Sequence, residues 1–164
     1  MSIAQRTGPE RSSPRFEILL VEDNPDHAEL VKRSFEDHPL ESTIHHLSDG
    51  EAALDYLLRS GAEAEAGAVP RPHMILLDLR LPKVDGLDVL REIRKTRNFD
   101  EIPVIVLTTS SAEPDVKKAY QSHANSYLVK PNDFQQFDEL IKALGTYWLG
   151  WNHDQGRAMS RAGT

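Results

Sequence analysis

The sequence predicts an α/β protein built as a doubly wound, five-stranded parallel sheet with five helices. Four short aliphatic runs, at 18–21, 74–77, 104–107 and 127–129, are typical of strands that are buried on both faces. Stretches with helical spacing of apolar residues follow the strands, so that strand and helix alternate five times. Each aliphatic run also ends in a polar residue that can carry chemistry, which predicts a site at one edge of the sheet.

The composition limits the classes of function. The 164 residues predict one domain with tails. A net charge of −7, from 19 basic and 26 acidic residues, disfavours electrostatic binding to DNA. The absence of cysteine excludes disulfides and fits a cytoplasmic protein. No apolar run approaches the roughly 20 residues of a membrane helix, so we expect no membrane contact.

The chain divides into three parts by composition. Residues 1–15 are rich in Gly, Pro, Ser and Arg and predict a disordered N-terminal arm. Residues 16–149 form the predicted domain. Residues 150–164 return to polar, Gly-containing sequence and predict a flexible C-terminal tail.

The first strand is predicted at 17–21 and the first helix directly after it. Asn24 suits the N-cap, Pro25 the first helical position and Asp26 the acid-favoured first turn. The apolar stripe of this helix is Ala28, Val31 and Phe35.

A second strand is predicted at 43–47, and Asp49 is expected to cap the second helix. Its expected apolar face is Ala53, Leu54, Leu57 and Leu58. Residues 60–73 are too polar for the core and predict a loop before the third strand.

The second half of the chain repeats the alternation. Pro82 and Asp85-Gly86 indicate a structured turn, followed by a third helix with Leu87, Leu90 and Ile93 inward. Pro103 opens the fourth strand, and 111–122 form a weaker fourth helix. Asn132 or Asp133 caps the fifth helix. Its predicted stripe is Phe134, Phe137, Ile141, Leu144 and Trp148.

The polar strand ends predict a metal and phosphoryl site. Carboxyl ends of parallel strands meet at one edge, which would gather Glu22, Asp23, Asp78, Thr108 and Lys130. Carboxylates without His or Cys ligands suit Mg²⁺. A carboxylate nucleophile can take a phosphoryl group whose oxygens are held by a cation, a hydroxyl and an ammonium. Each residue alone has an ordinary structural explanation, and the acidic pair can instead cap the helix that follows it, although Asn24 already offers that cap.

At this point the chain resembles the receiver domain of a two-component response regulator. The resemblance spans 17–148 and rests on the acidic pair in 20–23, the segment 76–86 around Asp78, and 106–109 and 127–131. These motifs follow the family order. Thr108 lies 30 residues after Asp78, and Lys130 lies 52 residues after it.

The resemblance implies a fold and a ligand set. The fold would be flavodoxin-like with strand order 2-1-3-4-5. Asp78 would be phosphorylated by a cognate sensor histidine kinase. Asp23 and Asp78 would ligate Mg²⁺ directly, the backbone carbonyl of Arg80 would add a third ligand, and Glu22 would act through water. The Arg80 side chain is expected at the mouth of the pocket.

The resemblance also implies a switch. Lys130 would pair with the phosphoryl group, and its bond to Pro131 would be cis. Thr108 would move toward the phosphate and Tyr127 would change rotamer, which would alter the surface formed by helix 4, strand 5 and helix 5.

Within the family, the chain is similar to stand-alone regulators paired with bacterial phytochrome kinases. The similarity lies in residues 107–111, the long loop before Met74 and the aromatic end Tyr147-Trp148. It implies a bacteriophytochrome as kinase, and an unknown downstream protein in place of a DNA-binding output module. We also expect a homodimer through helix 5 and the aromatic end at 147–151, although core packing explains Trp148 equally well.

Two other functions compete with this interpretation. A phosphohydrolase of the haloacid dehalogenase type also uses an Asp nucleophile, but it needs an acid two residues later, where this chain has Arg80. A degenerate receiver that only binds a partner would not need every functional side chain. We therefore expect a signalling protein, not an enzyme that turns over a substrate. No histidine is assigned a role, and His45 and His46 should face opposite sides of their strand.

Overall fold

A computed structural model describes residues 15–60 and 69–152. Its elements, in chain order, are β1 (Phe16–Val21), α1 (Pro25–Glu36), β2 (Ser42–Leu47), α2 (Gly50–Ser60), β3 (Met74–Leu77), α3 (Gly86–Lys95), β4 (Val104–Thr108), α4 (Glu113–Gln121), β5 (Ser126–Val129), α5 (Phe134–Gly145) and a C-terminal π-helix (Thr146–Trp151). The five predicted strand–helix pairs are all present.

The sheet has the predicted order β2-β1-β3-β4-β5, and all neighbouring strands run parallel. Its register aligns the carboxyl ends of the strands. Val21 on β1 pairs with Leu47 on β2 and with Leu77 on β3, and Thr108 on β4 pairs with Val129 on β5. The residues that follow these strands therefore emerge at one edge of the sheet.

Alternation along the strands produces two apolar layers, one on each face of the sheet. Leu19, Val21, Ile75 and Leu77 belong to the layer that contains buried residues of α2, α3 and α4. The intervening strand residues belong to the layer that contains buried residues of α1 and α5, namely Ile18, Leu20, Met74, Leu76, Ile105 and Leu107. Helices cover both faces of the central strands β1, β3 and β4, which explains why these strands consist mainly of aliphatic residues.

The predicted helix caps are confirmed by hydrogen bonds. Asn24 Oδ1 accepts from the backbone N–H of Asp26 at 2.9 Å and of His27 at 3.2 Å. Asp49 Oδ1 accepts from the backbone N–H of Ala52 at 2.8 Å. Of the two candidates for α5, Asp133 is the cap. These bonds satisfy amide groups that have no partner inside the helix.

Two residues of the predicted apolar stripes face solvent. Leu58 is 67% exposed because it lies one residue past the buried Leu57, about 100° further around α2. Phe134 is also 67% exposed, since it stands at the first position of α5, ahead of the first buried turn at Phe137. The predicted inward positions of these two side chains are therefore wrong.

The chain ends are described in part. The predicted arm lies outside the described residues except for Arg15, and so do residues 61–68 of the predicted loop and residues 153–164 of the predicted tail. Gly150 and Trp151, at the start of that tail, complete the π-helix. Within the described ranges, no helix combines the length and the apolar character needed to cross a membrane.

Gly86 holds the turn after β3 close to the functional edge. Its backbone N–H donates to the Leu79 carbonyl at 3.0 Å. A Cβ at this position would lie 2.2 Å from the Asp78 carbonyl oxygen and 2.6 Å from Leu79 Cα. Both are backbone atoms, which cannot move aside as a side chain can. Glycine is therefore required for α3 to approach the segment that carries Asp78.

We expect Gly86→Ala to lower the free energy of unfolding by about 2–3 kcal/mol, because the methyl group displaces backbone. Gly150→Ala is the matched control, since nothing lies within 4 Å of its added Cβ. The control should change the free energy of unfolding by no more than about 1 kcal/mol. Urea denaturation of both variants measures the difference, and equal stabilities would contradict the steric argument.

Candidate functional site

The sheet register brings the five predicted polar residues to one edge. Glu22 and Asp23 follow β1, Asp78 follows the neighbouring β3, and Lys130 follows β5. The Asp78 amide donates to the Val21 carbonyl at 3.0 Å, and the Lys130 amide donates to the Thr108 carbonyl at 2.7 Å. These backbone hydrogen bonds continue the sheet just past the strand ends. They fix the backbone positions of Asp78 and Lys130, from which the two side chains extend.

Three carboxylates form an acidic cluster in the pocket. One oxygen each of Glu22, Asp23 and Asp78 lies within 4.8 Å of the other two. Glu22 and Asp78 are buried, whereas Asp23 is exposed. The cluster offers only oxygen, and this donor set fits a hard divalent cation such as Mg²⁺. The backbone N–H of Arg80 donates to Asp78 Oδ1 at 3.2 Å, which brings the backbone at Arg80 beside the cluster.

The Lys130 ammonium is the positive centre of the pocket. It is 4% exposed and donates to Glu22 Oε2 and, at 3.0 Å, to Asp78 Oδ2. A third contact joins Lys130 Nζ to His27 Nδ1 at 3.1 Å. A buried charge is tolerated when it is paired and hydrogen-bonded, and Lys130 meets both conditions.

Burial changes the acid–base chemistry of the pocket. It raises the pKa of Glu22 from 4.5 to about 7, although the Lys130 ammonium acts in the opposite direction. Burial also lowers the pKa of His27, and the Lys130 ammonium adds to that effect. Both shifts favour the neutral form of the side chain.

Thr108 contributes a hydroxyl that is fully buried. Among the side chains of 15–60 and 69–152, its Oγ1 is the buried polar atom without a hydrogen-bond partner. An unpaired buried hydroxyl costs roughly 1–3 kcal/mol. Such an atom at the functional edge is suited to donate to an oxygen that arrives with a ligand.

Tyr127 and Arg80 are linked through the segment between β4 and α4. The Tyr127 hydroxyl donates to the Ser110 carbonyl at 2.8 Å, and the Ser110 hydroxyl donates to Asp115 Oδ2 at 2.6 Å. Arg80 Nη2 donates to the same oxygen at 2.9 Å. The Arg80 side chain is exposed, and this chain of contacts connects it to α4 and β5.

The peptide bond between Lys130 and Pro131 is trans, which corrects the expectation of a cis bond. Trans is the ordinary isomer of an X–Pro bond, favoured by about 0.5–1 kcal/mol. Lys130 contacts both buried carboxylates with this bond in the trans form.

His27, Ser110 and Asp115 belong to the site or its border, although the sequence argument assigned them no role. His27 stands in the first turn of α1, four residues after Asp23. A helix that starts directly behind an acidic pair must present its first turn to the same edge, and this signal was available in the sequence. The contacts of Ser110 and Asp115 depend on the conformation of the loop before α4, which the apolar pattern does not define.

Comparisons with known proteins agree with this geometry. A family model for the response regulator receiver domain matches residues 18–142. The probable methanogenesis regulatory protein FilR2 of Methanothrix harundinacea is 48% identical over 87% of this chain and 90% of its own length. Response regulator Rcp1 of Synechocystis is 38% identical over 85% of this chain and 93% of its own length.

Solved structures are similar as well. The phosphorylated cyanobacterial phytochrome response regulator RcpA superposes with a TM-score of 0.78 and 35% identity, over 85% of this chain and 98% of that one. The Mn²⁺-bound form of Rcp1 has a TM-score of 0.78 and 36% identity over the same shares of the two chains. The fold is thus that of response regulators whose structures were solved in a phosphorylated form and in a Mn²⁺-bound form.

The pKa of Glu22 predicts that Mg²⁺ binds more tightly at pH 8 than at pH 6, by up to about tenfold, because the carboxyl loses its proton in that window. In the metal-free protein, the free energy of unfolding changes in the opposite direction and falls as the pH rises. A carboxyl whose pKa rises on folding stabilises the fold below pH 4.5, and that contribution is lost as the pH rises through about 7.

Calorimetric Mg²⁺ titration and urea unfolding at pH 6, 7 and 8 measure the two trends. Glu22→Gln is the control, because it keeps the shape of the side chain and cannot ionise. Both trends should flatten in this variant. If the two pH trends persist unchanged in Glu22→Gln, they arise from a titratable group other than Glu22.

Proposed function

The chain belongs to the response regulator receiver family of two-component signalling, and on that premise we propose that it accepts a phosphoryl group on Asp78 from a sensor histidine kinase. One observation carries the proposal: the Lys130 ammonium lies 3.0 Å from Asp78 Oδ2, in a pocket that also contains Glu22 and Asp23. The pocket pairs a carboxylate nucleophile with a cation that can hold the oxygens of the incoming group.

In the proposed transfer, an Asp78 carboxylate oxygen attacks phosphorus in line with the kinase histidine. The O–P bond forms as the N–P bond breaks, and the released imidazole nitrogen keeps the electron pair of that bond. Lys130 donates to one phosphoryl oxygen and Thr108 donates to another. The hydroxyl of Thr108 supports its role, because it has no other partner in the described part of the chain.

The donor set of the pocket is suited to Mg²⁺. Asp23, Asp78 and the backbone carbonyl of Arg80 would hold the ion, with Glu22 acting through water. When bound, Mg²⁺ neutralises charge that develops on the phosphoryl oxygens. Without it, the three neighbouring carboxylates repel an anionic donor, so we propose that phosphorylation depends on the metal.

We propose that the phosphoryl group acts as a switch through charge. An aspartyl phosphate places added negative charge near Arg80. This charge competes with Asp115 for the guanidinium of Arg80. Without Arg80, Asp115 is free to move together with the Ser110 hydroxyl that donates to it. That movement displaces the Ser110 backbone carbonyl, which accepts from the Tyr127 hydroxyl. Thr108 and Tyr127 then change position, and the surface of α4, β5 and α5 changes with them.

This switch would be read by other proteins. The similarity to the cyanobacterial phytochrome response regulator RcpA supports a bacteriophytochrome as the kinase. A downstream protein, and not DNA, would receive the signal, and the protein would catalyse only its own phosphorylation and dephosphorylation. The cytoplasmic location stays a prediction.

We propose a homodimer through α5 and the aromatic end at 147–151. Tyr147 is 54% and Trp151 is 81% exposed, whereas Trp148 packs partly against the core. Val129 on the edge strand β5 and Phe134 on α5 are exposed as well. Large exposed apolar side chains around an edge strand are typical of a protein–protein interface.

Phosphotransfer from purified histidine kinases should label wild-type protein in the presence of Mg²⁺ and leave Asp78→Asn unlabelled, because the amide is not a nucleophile. EDTA should abolish labelling of wild type. Asp55→Asn is the matched control, because Asp55 is an exposed acid on α2 outside the pocket, and this variant should still be labelled. Labelling of Asp78→Asn at the wild-type level would refute the assignment of the phosphoacceptor.

Analytical ultracentrifugation with and without beryllofluoride tests the dimer. Trp151→Ser should weaken self-association by about tenfold, since an interface aromatic contributes on the order of 1–2 kcal/mol or more. Leu58→Ser is the matched control, because Leu58 is an exposed apolar residue on α2, away from α5. A wild-type protein that stays monomeric in both states would contradict the proposed dimer.

A further inference from the structure

We propose that His27 is a positioning residue for phosphoryl binding, which accepts the third hydrogen bond of the Lys130 ammonium and thereby fixes the direction of its remaining donors. The inference rests on the proposed function of Asp78. It adds a residue outside the acidic pair, the phosphoacceptor, the hydroxyl and the lysine that form the site.

The chemistry of the contact determines which atom donates. Lys130 Nζ lies 3.1 Å from His27 Nδ1, and an ammonium has donors only. The imidazole nitrogen must therefore accept, which places the ring proton on Nε2. Glu22 Oε1 lies 3.9 Å from the same Nδ1, beyond hydrogen-bond distance. Lys130 is thus the hydrogen-bond partner of this nitrogen.

The imidazole is held from two sides. The His27 backbone N–H donates to the Asn24 cap at 3.2 Å, which fixes the first turn of α1. The ring packs against Phe137 on α5, with centroids 5.6 Å apart and an interplanar angle of 31°. A ring fixed at its backbone and at its face can hold a neighbouring group in place.

The three hydrogen-bond partners of Lys130 are of two kinds. Glu22 and Asp78 are carboxylates that would also bind a divalent cation. Their hydrogen bonds with the Lys130 ammonium would therefore change when metal binds. His27 is not among the proposed metal ligands, so its hydrogen bond with Lys130 does not compete with metal binding. We infer that His27 is the partner that keeps the ammonium in position when metal and a phosphoryl group enter the pocket.

Two substitutions separate this role from simple packing. His27→Phe keeps a ring against Phe137 but removes the acceptor. His27→Asn removes the ring but keeps an acceptor, since Oδ1 of Asn and Nδ1 of His are both bonded to Cγ. His45→Phe is the matched control, because the His45 side chain has the same 26% exposure and pairs with Glu17 instead.

Binding of beryllofluoride, a phosphoryl mimic, is measured at saturating Mg²⁺ by ¹⁹F NMR, and Mg²⁺ binding alone is measured by calorimetry. His27→Phe should weaken beryllofluoride binding by about five- to tenfold, the size expected for losing one charge-assisted hydrogen bond. His27→Asn should stay within about twofold of wild type, as should His45→Phe. Mg²⁺ affinity should stay within about twofold in every variant, because His27 is not among the metal ligands.

Equal beryllofluoride affinity in wild type and His27→Phe would overturn the inference and leave the proposed function standing. Equal losses in His27→Phe and His27→Asn would also overturn it, because the effect would then be structural. Failure of the wild-type protein to bind beryllofluoride at all would contradict the proposed function itself, and the inference with it.

Discussion

The Lys130 ammonium lies buried between the carboxylates of Glu22 and Asp78, and the functional edge of the sheet is organised around this contact. Each of these charges would be costly to bury alone, and removing one partner from a buried pair typically costs about 3–5 kcal/mol. The contact joins residues that follow β1, β3 and β5. Parallel pairing with aligned strand ends is what brings them within reach, so the site is a direct consequence of the sheet register.

The fold was predictable because local and long-range signals agree. Aliphatic runs, candidate caps at Asn24 and at Asn132 or Asp133, and strand–helix alternation all indicate the same architecture, which the structure has. The exposed positions of Leu58 and Phe134 were not predictable, because helical spacing gives the direction of a side chain but not how far the neighbouring elements extend. Gly86 was recognised as part of a turn, whereas its contact with the Asp78 backbone depends on how closely α3 approaches.

The sequence also predicted which polar residues lie together at the functional edge of the sheet. Strand-end chemistry points to residues that the sheet register brings to one edge, and among them Asp78 contacts Lys130 directly. The roles of Asp78, Thr108 and Lys130 stay predictions. The cis bond at Pro131, taken from the family resemblance alone, is not observed. The Arg80 side chain, which was expected at the mouth of the pocket, is exposed and pairs with Asp115. The position of His27 in the first turn of α1, directly behind the acidic pair, could have been predicted. The contacts of Asp115 depend on the loop before α4, which residue types alone do not reveal.

The order of the pocket residues along the chain has a consequence for biosynthesis. Glu22 and Asp78 leave the ribosome before the strand that brings Lys130 has been made, so early in synthesis the two carboxylates have no ammonium between them. Domains fold as units once their sequence is available, and here the Lys130 ammonium directly follows the last strand, β5. A nascent or truncated chain that lacks β5 thus lacks the cation that would hold the proposed phosphoryl group, which would restrict phosphorylation to molecules whose sheet is complete.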